Sequence, residues 1–294
     1  MAADSRPEGD RVYRENAQDH WPALSWWSRR HYIAAPFCTR ILADLGAEVI
    51  KVEPPGGDPF RGWGEAKDGH SVCFSIHGRN KLSIELDLKK DRETLLKLAV
   101  RADVLAENMR SGQLERLKIG PAELHAVNPR LVIARISGYG QDGPYRDKPA
   151  FGAIGEAVGG PRHLTGHPAG VSDLPPPRRG ISVSDDLAGL YAAIGLLSAV
   201  WERDAKGTGE GRVVDVNLCA EVPCSRLYDI ADCATAPHFP ARKAVQSLDN
   251  PLIGSTPHPG PVIRLNGEAP EDVVRWTGPA VGAHTDFGLH TLLG

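Results

Sequence analysis

The 294-residue chain is poor in the features that mark several large classes of protein. Its five cysteines are odd in number and lack paired metal-site spacing, which predicts reduced thiols in a cytoplasmic protein and no metal site. It has no basic stripe and a net charge of -3, which argues against nucleic acid as a partner. We also expect no membrane association, because no apolar run is judged long enough to cross a bilayer and no signal peptide is evident.

Common catalytic signatures are missing as well. The chain has no Gly-x-Ser-x-Gly elbow and no P-loop, so hydrolase and nucleotide-kinase functions lack support. Residues 138–143 match the glycine spacing of a dinucleotide-binding turn, but Pro144 and Pro149 bracket a short loop where a helix would have to open. We therefore predict no NAD site there. His163 and His167 lack a third ligand nearby, and a zinc site is not expected.

Helix and strand patterns alternate from residue 36 to residue 217. This order predicts an α/β fold with a largely parallel sheet and flanking helices. Residues 1–33 show no clear period and are predicted to be an extension. The predicted strands cover 48–53, 82–87, 103–107, 131–137 and 212–217, and the predicted helices cover 36–45, 90–101, 111–117, 121–127, 151–159 and 186–203.

Two carboxylates, Asp185 and Asp186, stand at the start of the longest predicted helix, after a loop rich in glycine and proline. A carboxylate at this place either caps the helix and complements its dipole or serves as a nucleophile presented by a rigid element. Arg116, Arg79 and Lys81 are equally ambiguous, because each is either a solvated charge or a group that binds phosphate.

Several segments in a fixed order carry a resemblance to a known family: 35–37, 42–53, 57–61, 80–87, 102–108, 137–144, the helix after Asp185, and 208–212. Together they resemble the class III CoA-transferases, the family of formyl-CoA transferase, carnitine CoA-transferase and α-methylacyl-CoA racemase. The resemblance spans about residues 34–221. It implies a Rossmann-like large domain that acts on acyl-CoA and carboxylic acid substrates.

The resemblance also implies a nucleophile. In the family an aspartate lies four residues before the helix glycine, and Asp185 has this spacing to Gly189. The implied reaction passes through a mixed anhydride and an aspartyl-CoA thioester before CoA reaches an acceptor carboxylate. Backbone amides near Tyr139 or in a glycine loop are expected to hold the developing oxyanion. The resemblance implies that Arg116 contacts CoA and that Asn108 and Met109 line the same cleft, and we add Tyr139 and Lys81 to the predicted CoA-binding residues.

Several departures from the family pattern bear on the expected reaction, substrates and domain organisation. Where family members have an apolar first strand, residues 24–30 form only a weak strand with two adjacent cations. Phe151 stands where a racemase has its histidine, which disfavours racemase chemistry. Ile33 replaces the glutamine of oxalate-using members, which disfavours formyl-CoA and oxalate as substrates. The middle small domain is absent, so we divide the chain into an N-terminal extension (1–33), the large domain (34–222) and a C-terminal block that packs back on it (223–294). The alternatives to a transferase are a non-catalytic CoA-binding remnant or, less favoured, a CoA-thioester racemase or lyase.

The missing domain also bears on assembly. Class III CoA-transferases form interlocked homodimers in which two chains thread through each other. Because the middle domain and its linkers close that ring, we expect a monomer or a non-threaded dimer here.

Overall fold

A seven-stranded sheet organises the protein in a computed structural model that describes residues 22–26, 33–167, 170–177, 182–219, 237–243, 245–250, 254–259, 264–265 and 269. The strands are β1 (Pro22–Trp26), β2 (Glu48–Glu53), β3 (Ala66–Lys67), β4 (His70–Ser71), β5 (Lys81–Glu85), β6 (Val104–Glu107), β7 (Val132–Ser137), β8 (Val213–Asn217), β9 (Val245–Asn250), β10 (Gly254–Pro259) and β11 (Arg264–Leu265). The sheet order is β11-β8-β7-β6-β1-β2-β5, and only β11 is antiparallel to its neighbour. The α/β fold with a largely parallel sheet is therefore confirmed.

Helices cover both faces of the sheet, as parallel strands require. They are α1 (Ala34–Asp44), α2 (Val72–Gly78), α3 (Arg92–Val100), α4 (Gln113–Arg116), α5 (Pro121–Val127), α6 (Gly152–Gly159), α7 (Pro161–Leu164), α8 (Val183–Ala205) and α9 (His238–Ala241), with a 3-10 turn at Pro59–Gly62. The strand at 48–53 and the helix at 121–127 match their predicted bounds. The longest helix begins earlier than predicted, at Val183, so Asp185 and Asp186 both lie inside its first turn. The helix considered at 229–234 lies outside the described residues.

The two faces of the sheet are packed with different side chains. On one face α1 and α8 contribute mainly alanines, and small residues let the two helices approach closely. A Cβ on Gly189 would lie 2.6 Å from the carbonyl oxygen of Ala34, so this contact admits no side chain at position 189. The other face is filled mainly by leucine and isoleucine from α3, α4, α5 and the strands. The close α1–α8 contact fixes the start of α8 against the sheet.

One strand comes from the segment that we predicted to be an extension. Residues 22–26 form β1 and pair in parallel with both β2 and β6, in the interior of the sheet. The prediction that 1–33 lies outside the domain is therefore wrong for residues 22–26. The error has a physical reason, because Pro22–Trp26 lacks the alternation of an ordinary strand and its pairing is decided by the two neighbours.

The length and apolar character of helix α8 differ from what we expected from the sequence. By length and composition alone, its 23 residues are apolar enough to cross a membrane, which contradicts the expectation that no run reaches that length. Such a single helix is weak evidence, because core helices pass the same test. Here Ala188, Ala192 and Leu196 are buried in the core that α8 shares with α1 and the sheet. Packing in a folded core therefore accounts for the apolar character of the helix.

Described parts of the C-terminal block lie against the large domain. Strand β11 pairs with β8 at one edge of the sheet, and α9 is followed by Arg242, which contacts the loop after β7. Strands β9 and β10 form a separate antiparallel pair. The division of the chain into an extension, a large domain and a C-terminal block stays a prediction.

Candidate active site

The strand order of the sheet indicates where a ligand-binding crevice lies. From β1 the chain proceeds to β2 and β5 on one side and to β6, β7 and β8 on the other. In open parallel sheets, ligands bind at the carboxyl ends of the strands where the order reverses. Here that point lies between β1 and β6, where the chain leads into the start of α1 and into the loop 108–112. The loop contains two of the predicted CoA-binding residues.

Asp185 lies at the contact of two helix starts. It is half-buried in the first turn of α8, and a Cβ on Gly152 would lie only 2.0 Å from its Oδ2 atom. Gly152 is the first residue of α6, so the carboxylate also approaches the positive end of that helix. Ser182 is the N-cap residue of α8 and its side chain makes no capping hydrogen bond. Asp185 is therefore not the N-cap residue.

The helices around Asp185 are packed without spare room. A Cβ on Gly155 would lie 2.8 Å from Cβ of Ser184, one residue before the proposed nucleophile. Glu156 follows on α6 and is fully buried, and neither of its carboxyl oxygens has a hydrogen-bond partner. Positions 152, 155 and 156 of α6, which span little more than one helical turn, thus place two glycines and an unpaired carboxyl group in buried positions. Sequence reasoning missed Gly152 and Glu156, because neither belongs to a local motif.

Asp186 faces a different neighbour. Burial raises the pKa of its carboxyl group, and the charge of Arg40 on α1 opposes that rise. The Arg40 guanidinium carbon lies 4.5 Å from the centre of the Phe37 ring. The two adjacent carboxylates of α8 are thus set apart by their surroundings, with Asp185 against α6 and Asp186 near α1.

The loop after β6 is held by a buried ion pair. Nε of Arg135 on β7 donates to Oε1 of Glu107 over 3.0 Å, while Nη1 donates to Oε1 of Glu115 over 2.7 Å. Glu107 also accepts the backbone N–H of Met109 at 2.5 Å. Burial raises the pKa of Glu107 to about 7, against the opposing charge of Arg135. This pair fixes the backbone direction of the loop, and local sequence gave no sign of it.

Asn108 and Met109 occupy different environments within that loop. Asn108 is buried, and its Oδ1 atom has no hydrogen-bond partner. The Met109 side chain packs into the leucine-rich core beneath the loop. Of these two predicted residues, Asn108 therefore has an unused polar atom, whereas Met109 is mainly a packing residue.

Tyr139 lies in an aromatic cluster after β7. Its ring contacts Tyr145 and His238 edge-on, at 5.6 and 5.4 Å between centroids, and Tyr145 stacks on His238 at 5.0 Å. Residues 138–150 form bends and turns, where a dinucleotide-binding turn would lead into a helix. A Cβ on Gly140 would lie 1.9 Å from Nη1 of Arg242, so this glycine makes room for the C-terminal segment.

Lys81 is turned toward helix α1. Its Nζ donates to the Pro36 carbonyl at 2.7 Å and to Thr39 Oγ1 at 2.9 Å. Burial, with the nearby charge of Lys51, lowers the pKa of this amine well below its usual range. Arg116 contrasts with it, because Arg116 is exposed at the end of α4, beside Gly112. The structure thus presents Arg116 to solvent, whereas Lys81 ties β5 to α1.

Comparison with known proteins identifies the family of this chain. The model of CoA-transferase family III matches residues 28–222, about two thirds of the chain. The chain belongs to CoA-transferase family III. This membership confirms the resemblance drawn from the sequence motifs. Within the described residues, no group of three or more His, Cys, Asp or Glu side chains is arranged to hold a metal ion.

Individual relatives agree with the family. The chain is 49% identical over 191 residues to a succinyl-CoA–D-citramalate CoA-transferase of Chloroflexus aurantiacus, covering 64% of this chain and 46% of the relative. It is 43% identical over 193 residues to an acetyl-CoA:oxalate CoA-transferase of Acetobacter aceti, covering 64% and 48%. A CaiB/BaiF family protein from Brucella suis has a similar structure, with TM-score 0.62, 33% identity and coverage of 68% and 53%. The chain thus spans about half the length of these curated relatives.

Proposed function

We propose that this chain transfers CoA between an acyl-CoA and a carboxylic acid, with Asp185 as the nucleophile. The observation that carries the proposal is the position of the Asp185 carboxylate, in the first turn of α8 and against Gly152 at the start of α6. Two positive helix ends favour an ionised carboxylate, and the absence of a side chain at Gly152 leaves its oxygen room. The relatives named above act on small acyl groups and dicarboxylic acids, which favours substrates of that size.

The first half of the reaction loads CoA onto the enzyme. An Asp185 oxygen attacks the thioester carbonyl carbon, the carbon–sulfur bond breaks, and a mixed anhydride forms as the CoA thiolate leaves. The thiolate then attacks the Asp185 carbonyl of the anhydride. The acyl group departs as a carboxylate and Asp185 holds CoA as a thioester. No proton is transferred in either step.

The second half repeats these steps with the acceptor. Its carboxylate attacks the Asp185 thioester carbonyl, the thiolate leaves, and a new anhydride forms. Attack of the thiolate on the acceptor carbonyl gives the new acyl-CoA and restores the Asp185 carboxylate. Backbone N–H groups near Tyr139 and the buried Oδ1 of Asn108 are candidates for holding the oxyanion and a CoA amide N–H respectively.

The alternative function is that of a CoA-binding protein without transferase activity. We regard racemase chemistry as disfavoured, since Phe151 stands where the required histidine is expected. We also propose a monomer or a non-threaded dimer, and a threaded dimer in a crystal structure would contradict that part.

Trapping of the enzyme-bound thioester tests the proposal. The wild type is incubated with succinyl-CoA or acetyl-CoA, then treated with hydroxylamine, and the peptide that contains Asp185 is examined by mass spectrometry. Hydroxylamine attacks an aspartyl thioester and leaves a hydroxamate on that residue. We expect the hydroxamate on Asp185 in the wild type and none in Asp185→Asn.

Asp186→Asn is the matched control, because it removes a charge from the same helix turn. It should retain both the adduct and transfer. Asp185→Asn should fold normally, since losing one charge at a helix start costs about 0.3–1 kcal/mol. CoA binding by the wild type without any adduct would favour the non-catalytic alternative. Equal transfer by the wild type and Asp185→Asn would end the assignment of Asp185.

A further inference from the structure

Arg242, which follows α9, is a buried cation enclosed by the turn after β7. Its side chain is only 5% exposed. Nη1 of Arg242 donates to Oδ1 of Asp142 over 2.6 Å, and Nη2 donates to Oδ2 of Asp215 on β8 over 3.3 Å. The same Oδ2 atom of Asp215 accepts the backbone N–H of Gln141 at 3.2 Å. The guanidinium group therefore joins the turn to a strand of the sheet.

The backbone of the turn after β7 is shaped around this guanidinium group. Gly140 has a φ of +92°, and a Cβ at this position would lie 1.9 Å from Nη1 and 2.5 Å from Cζ of Arg242. Gly143 has a φ of +80°, and its Cβ would lie 3.3 Å from Cγ of Arg242. Both positions have the left-handed conformation that favours glycine. A side chain at Gly140 would displace either the turn or the guanidinium group.

The same turn contacts two other parts of the candidate site. The Gly140 carbonyl accepts the Ser111 hydroxyl at 2.9 Å, which ties the turn to the loop after β6. On its other side, a Cβ on Gly138 would lie 2.3 Å from Cβ of Ala150, two residues before the glycine that lies against Asp185. The turn is thus packed between the loop after β6 and the segment that leads into α6. A shift of the turn would be passed to both neighbours.

We propose that Arg242 is a positioning residue for CoA transfer, which fixes the turn after β7 so that its backbone N–H groups are directed at the oxyanion. The inference rests on the proposed function, because that function assigns backbone N–H groups near Tyr139 to this charge. Such donors stabilise an oxyanion only when they are held in place before the reaction. A guanidinium group suits this task, because its planar fork directs several donors at once and stays charged.

The rate of hydroxamate formation on Asp185, measured over a range of succinyl-CoA or acetyl-CoA concentrations, tests the proposal. We expect Arg242→Met to lower the maximal rate about a hundredfold, the scale of a displacement of about 1 Å at a reacting centre. The half-saturating concentration should stay nearly unchanged, because the lost interaction acts in the transition state. Thermal unfolding gives a temperature at which each variant is folded, and the rates are compared there.

Arg203→Met is the matched control. Arg203 is also a buried arginine, with a side chain 3% exposed, and it pairs with Asp103 and Asp204. It lies in the last turn of α8, at the opposite end of that helix from Asp185. Replacing it removes a buried cation from two carboxylates, as in Arg242→Met, but far from the turn. Arg203→Met should therefore lose stability and keep the maximal rate.

Two milder variants keep the test decisive if Arg242→Met does not fold. Arg242→Lys retains the charge without the planar fork, so its maximal rate should lie between those of the wild type and Arg242→Met. Asp142→Asn removes one partner of Arg242 whose side chain is 56% exposed, and we expect it to fold and to lower the rate severalfold. Its control is Asp204→Asn, which removes the 43% exposed partner of Arg203 and should leave the rate unchanged.

The outcomes separate this inference from the proposed function. An unchanged maximal rate in folded Arg242→Met or, if that variant does not fold, in Asp142→Asn overturns the inference and leaves the proposed function intact. An equal loss of rate in Arg203→Met also overturns it, because the loss would then follow from general destabilisation. Failure of the wild type to form the adduct would overturn the proposed function, and this inference with it.

Discussion

The two ends of the candidate site are built differently. At the nucleophile end, Asp185 and Ser184 lie against α6 so closely that neither Gly152 nor Gly155 has space for a Cβ. At the other end, Arg116 at the end of α4 and Arg146 in the loop after β7 are exposed and have few internal partners. The first end needs fixed geometry for bond formation, whereas the second needs only charge at the right place. A change of one atom should therefore damage the first end more than a change of one charge damages the second.

The largest effect is expected from Gly152→Ala. Its Cβ would lie 2.0 Å from Asp185 Oδ2, so the carboxylate must move away. A displacement of about 1 Å at a reacting group can cost about a hundredfold in rate, and we expect that loss in transfer assays. Because a short side chain can shift, the loss of stability should be only about 1 kcal/mol in chemical denaturation.

Gly62→Ala provides the matched control, since its new Cβ meets nothing within 4 Å. It should leave both transfer and stability close to those of the wild type. Full activity of Gly152→Ala would show that the site tolerates a displaced Asp185 carboxylate. It would contradict the view that the nucleophile end needs fixed geometry.

A second experiment compares buried and exposed charge within one ion-pair network. Arg135 pairs with Glu107, which is buried, and with Glu115, whose side chain is 46% exposed. Replacing Arg135 by Met leaves a buried carboxyl group without its cation and should cost about 3 kcal/mol of unfolding free energy. Glu115→Gln should cost less than about 1 kcal/mol, because its pair is open to solvent. If urea denaturation showed similar losses of unfolding free energy for both variants, the contrast between the buried and the exposed ion pair would be contradicted.

His238, which stacks on Tyr145 in the loop after β7, should have a smaller, pH-dependent effect on stability. Burial and the charge of Arg242 lower the pKa of His238 to about 4, so the folded state favours the neutral ring. The unfolded chain takes up this proton below its ordinary pKa of about 6.5. Stability should therefore fall as the pH drops from about 6.5 toward 4. His238→Asn should flatten that part of the stability profile measured by thermal unfolding, and an unchanged slope would refute the role of His238.

The smallest effect concerns salt at the arginine end. Raising ionic strength should weaken CoA binding severalfold in the wild type, because exposed charges are screened. The variant Arg116→Gln should lose less affinity over the same range, because it has one exposed positive charge fewer. Hydroxylamine trapping at saturating acyl-CoA should be nearly unaffected by salt in both proteins, because saturation removes the dependence on affinity.

Local sequence was sufficient for most of the large domain. The strand at 48–53 and the helix at 121–127 follow from alternation and from an N-terminal proline, which are properties of neighbouring residues. Each motif that carries the family resemblance, from 35–37 to 208–212, is likewise a run of a few neighbouring residues, and together these motifs indicated the family. Strand β1 was predicted only as a weak strand at 24–30, because its place between β2 and β6 depends on long-range pairing.

What the sequence by itself determined, then, is the alternation of helix and strand between residues 36 and 217, the family, and Asp185 as the candidate nucleophile. Only the tertiary structure decided which side chains meet: Gly152 with Asp185, Arg135 with Glu107, and Arg116 with Arg146 beside Gly112. The physical reason is that periodicity and capping act over a few residues. Close packing and ion pairing join residues that are remote along the chain, and these contacts form only when the parallel sheet brings its loops to one edge.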